Sequence, residues 1–139
     1  MFVTDISDAY NNVTIMTSNG MRMQWLIGAL FLAATLAILA QWALAEHLYW
    51  RYYWFDMLMH TIGGALVGTL AVAASLRFRP VMFIAAVAVV AVGWEFFEYA
   101  IGAQREANFM LDTEIDLLMG AFGALLIYSI ARFTIWRYV

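Results

Sequence analysis

FDMLMHTIGGALVGTLAVAASL, residues 55–76, is the stretch that decides the fold. Twenty-two residues rising about 1.5 Å each are long enough to cross the hydrocarbon core of a bilayer as a helix. Its ionisable residues, Asp56 and His60, stand four apart near one end, which puts both on the same helical face. Gly64 and Gly68 continue that face, and small residues at such spacing let a second helix approach closely in lipid.

Working outward, three more segments have spanning length: 23–45, 80–101 and 114–136. Short connections make sequential neighbours antiparallel, and Pro80 suits the first turn of the third span, where its missing N–H costs little. The expected fold is therefore all-α, an integral membrane bundle of four transmembrane helices over residues 22–139, preceded by a polar N-terminal tail at 1–21. Composition agrees: 65% hydrophobic against 12% charged residues lies far from the balance of a soluble domain. The tail carries Asp5 and Asp8 where a signal peptide would be positive, so the first apolar run reads as a retained anchor. Cysteine is absent, which removes disulfides and thiolate metal sites. A net charge of −3 with no basic run gives no support for nucleic-acid binding.

Arginines suggest the orientation. Arg22, Arg77, Arg79, Arg132 and Arg137 fall on one side, Arg51 and Arg105 on the other, which argues for a multi-pass protein of the cell (inner) membrane with both termini cytoplasmic. Arg132 lies within the final turns of the last span and is expected to snorkel toward the headgroups. Trp50, Tyr52, Tyr53, Trp54 and Phe55 crowd the first turnaround as an interfacial belt.

The spans also hold charge where lipid disfavours it. Asp56 and His60 open the second span, Glu95 and Glu98 close the third, and Asp112 and Asp116 flank the start of the fourth, so all three pairs converge at the non-cytoplasmic end. An acidic side chain at a helix centre costs roughly 2.5–3.5 kcal/mol on insertion scales, so a partner or a task is expected. Second and fourth spans further share a pattern at an offset of 56 residues: Asp56, His60, Gly64, Gly68 against Asp112, Asp116, Gly120, Ala124. That suggests two similar helical hairpins about an axis along the membrane normal, although glycine every fourth residue also suits any closely packed pair.

Clustered carboxylates with one imidazole suit a divalent metal such as Zn, Mn, Fe or Mg, held by His60, Glu95, Glu98, Asp116, Asp56 and Asp112. The same groups would also serve proton transfer. Plainer roles stand beside these: Asp56 near Arg51, and Asp112 with Glu114 near Arg105, could cap helix starts, and the deeper four could form a buried hydrogen-bond network. His47 beside Glu46 reads as an interfacial side chain, the methionines as filler, and neither a haem nor a nucleotide site is expected.

At Phe55-Asp56-Met57-Leu58-Met59-His60-Thr61-Ile62-Gly63-Gly64, Trp94-Glu95-Phe96-Phe97-Glu98 and Asp112-Thr113-Glu114-Ile115-Asp116-Leu117-Leu118-Met119-Gly120 with Gly123-Ala124, the chain resembles the VanZ-like and YjdF-like small polytopic membrane proteins. The resemblance covers about residues 50–130. It implies that the six site residues are motif positions and hints at an envelope role without naming a reaction, so enzyme or not stays open. The expected function is a metal-binding or acid/base site near the outer leaflet that acts on or recognises a lipid or envelope molecule. Two alternatives compete with it: an accessory or structural subunit of a larger membrane complex, and an oligomeric proton or cation conductor. Membrane lipids, a homo-oligomer or a larger assembly are the partners these readings imply.

Overall fold

A computed structural model describes the backbone of residues 2–74, 79–102 and 108–136, with side chains from Ser18 onward. It contains α1 (Phe2–Glu46), the single turn α2 (Leu48–Arg51), α3 (Tyr53–Ala74), α4 (Pro80–Ile101) and α5 (Phe109–Thr134), with no strand among the described residues. Among the described residues, four helical stretches are long and apolar enough to cross a membrane: Ser18–Glu46, Tyr53–Ala74, Pro80–Ile101 and Phe109–Thr134.

Local chemistry explains the boundaries. His47, in the left-handed region at φ 57°, separates α1 from α2. Pro80 takes the first turn of α4 as its sequence position suggests, and Gly102 at φ 71° ends that helix where a side chain would be strained. Asn108 caps α5 by accepting from the Leu111 N–H, so this helix begins ahead of residue 114, the start expected from hydropathy. Residues 2–21 likewise continue α1 as helix, which makes it about 67 Å long, twice the hydrocarbon thickness of a bilayer. Two hydroxyls inside α3 are satisfied locally: Thr61 donates to the Met57 carbonyl and Thr69 to that of Ala65, each one turn back.

The central contact is between α3 and α5, which run parallel because matched positions meet. A Cβ on Gly64 would overlap the Gly120 backbone, one on Gly123 would overlap the Thr61 carbonyl, and Gly68 faces Ala124. Gly64 and Gly120, like Gly68 and Ala124, are 56 residues apart, so the shared pattern corresponds to a contact made at equivalent heights. α1 lies along the other side of α3, with Gly28 against the Thr69 methyl, whereas α4 leans more lightly on α3 and α5. The hairpins are thus alike at their central helices and unlike in how their outer helices pack.

Two hydrophobic clusters bracket the pair. Val72, Phe83, Ala124, Ala131 and Trp136 close one end, where the Phe83, Tyr128 and Trp136 rings pack tilted or edge-on with centroids 5.3–6.4 Å apart. Arg132 reaches toward the same end and donates to the Trp136 carbonyl at 2.9 Å. Ala43, Leu48 and Phe55 form the second cluster. Phe55 is 3% exposed, so it belongs to the core and not to the aromatic belt, while Trp50, Tyr52, Tyr53 and Trp54 stay exposed. Arg77, Arg105 and Arg137 lie outside the described residues.

Candidate metal centre

Three helices deliver donors to one depth. His60 lies seven residues into α3, Asp116 seven residues into α5, and Glu95 six residues before the end of α4. At 1.5 Å per residue all three sit about 9–10 Å inside the same end of the bundle. The glycine contact directly beneath brings α3 and α5 close enough for their side chains to face each other.

His60 is the hub. Its Nε2 is 3.5 Å from Asp116 Oδ2 and 3.9 Å from Asp56 Oδ1, and its Nδ1 is 3.8 Å from Glu95 Oε1. Asp116 and Glu95 are buried, and the His60 and Asp56 side chains are largely covered. One donor atom each from His60, Glu95, Glu98 and Asp116 lies within 4.8 Å of the others, and a second group of Asp56, Asp112 and Asp116 meets the same limit. The Asp116 carboxylate belongs to both groups. It also feels the charges of Asp56, Asp112, Glu95 and Glu98. All six residues singled out in the sequence therefore meet in one polar region.

The plainer readings fare unevenly. Arg51 faces Glu46 at 3.9 Å, on the exposed side of the turnaround, while Asp56 is directed toward His60. Asn108 caps α5, and Asp112 stands one turn further in among the other carboxylates. His47 lies outside both donor groups and packs its ring 5.9 Å from that of Trp50. The expectation that Arg105 sits near Asp112 falls outside the described residues.

One residue escaped the reading of the sequence. Thr113 Oγ1, beside the Glu95 carboxylate, is buried and makes no hydrogen bond of ordinary geometry. It precedes Asp116 by three positions and so shares its face, a signal hidden because threonine is common in membrane helices.

The separations limit the chemistry. Distances of 3.5–3.9 Å are too long for hydrogen bonds, which run about 2.7–3.2 Å. Donors roughly 2.1 Å from a common ion, at tetrahedral or octahedral angles, lie about 3.0–3.4 Å apart, so the four donors, within 4.8 Å of one another, would draw together to share one cation. The imidazole would bind through one nitrogen and donate from the other to a carboxylate, an arrangement that fixes its ring. No family model, curated protein or solved structure matches the chain.

Proposed function

We propose that this is a small integral membrane protein that holds a divalent metal through His60, Glu95, Glu98 and Asp116 and acts on or recognises a lipid or envelope molecule beside it. The observation that carries this reading is the meeting, within 4.8 Å, of four donors from three separate helices inside apolar spans. Oxygen-rich ligation with one imidazole suits Zn, Mn, Fe or Mg. The metal would offset charge that five carboxylates carry into a region of low polarity. Asp56 and Asp112 are assigned to the outer rim of the centre, within reach of Asp116.

The arginine distribution and the resemblance to the VanZ-like and YjdF-like groups are part of the same proposal. They support an inner-membrane protein with the centre near the non-cytoplasmic leaflet and an envelope-related substrate.

The test is elemental analysis of the purified chain, with wild type compared against Glu95→Gln and Asp116→Asn. Near-stoichiometric metal in the wild type, lost in both variants while each still elutes as a folded species, supports the proposal. Metal-free wild type that also takes up none of the four ions overturns it.

A further inference from the structure

Beside the donor cluster, a cavity of about 470 Å³ runs between α1, α3 and α4. It is lined along α3 from Asp56 to Val67 and along α4 from Val87 to Glu98, positions eleven apart in each case. That is a depth of about 16 Å, half of the roughly 30 Å hydrocarbon core, or one leaflet. The α1 and α4 backbones do not approach closely among the described residues, so the cavity lies where the bundle is open on its lipid-facing side. Gly63 is on its wall, and a Cβ there would meet nothing within 4 Å.

The cavity's two ends differ in chemistry. Its deep part is walled by aliphatic side chains such as Leu66, Val67 and Val87. Its other end carries the carboxylates of Asp56 and Glu98, with His60 between them and the rings of Tyr49 and Trp94 alongside. Trp94 is one turn from Glu98 on the same face of α4, and Tyr49 is held edge-on against Phe55 with centroids 5.3 Å apart. Among the described residues no arginine lines the cavity, and the chain has no lysine. Carboxylates and aromatic faces together favour a cation, because ring quadrupoles and negative charge both attract it and both act more strongly where water is excluded.

We infer that this cavity takes one hydrocarbon chain of a membrane lipid whose ammonium head is held by Asp56, Glu98, Tyr49 and Trp94. The inference rests on the proposed function and narrows its substrate class. Glu98 contributes to both sites, which its two carboxylate oxygens allow. A second chain of the same lipid would remain in the bilayer beyond the α1–α4 gap.

The experiment is native mass spectrometry of the full chain in neutral detergent, titrated with lysophosphatidylethanolamine or with lysophosphatidylglycerol of the same chain length. The amine-headed lipid is expected to bind at least about tenfold more tightly, within the range of a desolvated cation contact. Gly63→Leu, which projects into open space, should weaken both lipids by a similar factor, as should Ala91→Leu from the opposite wall. Asp56→Asn should reduce the head preference and leave chain binding in place. Equal affinity for the two heads, or wild-type lipid binding in both wall variants, overturns the inference. Metal content measured on the same samples separates the two claims. Selective lipid binding by protein that takes up no metal sustains the inference against the failed metal reading, and metal-loaded protein without head selectivity overturns the inference alone.

Discussion

α3 and α5 present the same succession of acidic and small positions, interrupted by a change from imidazole to carboxylate. Asp56 corresponds to Asp112, Gly64 to Gly120 and Gly68 to Ala124, but His60 corresponds to Asp116. The small residues are alike because the two backbones touch there, and steric need admits little variation. One turn away the steric demand relaxes, and an imidazole faces a carboxylate across 3.5 Å. Two aspartates at that height would only add repulsion, and two histidines would supply no negative charge to a divalent ion. A near-symmetric scaffold thus carries an asymmetric donor set.

Breaking the scaffold should have the largest effect. Gly64→Leu drives a side chain into the Gly120 backbone, whereas Gly63→Leu, its immediate neighbour, meets open space. Thermal melting in detergent should show Gly64→Leu destabilised by on the order of 3 kcal/mol or failing to fold, and Gly63→Leu near wild type. Similar melting of the two variants would mean that the α3–α5 contact does not hold the bundle together.

Altering the chemistry while keeping the scaffold comes next. Asp116→Asn removes a charge shared by both donor groups and should weaken metal binding by more than about 100-fold, above the 10–100-fold typical of outer ligand partners. Asp112→Asn, the matching change at the rim, should cost no more than that outer range, and competition with a chromogenic chelator measures both. Equal losses would place Asp112 in direct contact with the ion. Acidification should act in the same direction, because carboxylates and imidazole must release protons to bind a cation. Metal retention should therefore fall as pH falls, by about tenfold per unit for each proton displaced.

The bundle was legible in the sequence because apolar runs of spanning length leave few alternatives, and paired charges three or four residues apart identify their own helical face. Element ends were less so. Asn108 and Gly102 set boundaries through local hydrogen bonding and a positive φ, which hydropathy does not register. Phe55 sits within an aromatic run that reads as belt, yet only packing against Ala43 and Leu48 distinguishes it from exposed Trp54. The six ionisable residues that meet in the cluster were conspicuous in advance because lipid disfavours each of them. The cavity was not, since it is defined by the spacing between α1 and α4 and by the missing side chain of Gly63, neither of which is written in any one segment.

Thr113 gives the smallest and most discriminating contrast. Its hydroxyl is buried beside Glu95 on α5, whereas the hydroxyl of Thr61, on α3 just past His60, donates to the Met57 carbonyl at 2.8 Å. A buried hydroxyl without a well-formed hydrogen bond contributes little stability, so replacing it with an isosteric apolar group should be close to neutral, within about 1 kcal/mol and tending to stabilise. Thr113→Val should therefore melt at or slightly above wild type. If the hydroxyl orients the Glu95 carboxylate toward a metal, the same variant should bind the ion a few-fold more weakly with its melting unchanged in the chelated form. Loss of stability without loss of affinity would instead assign Thr113 to helix packing, and the centre would then consist of charged groups alone.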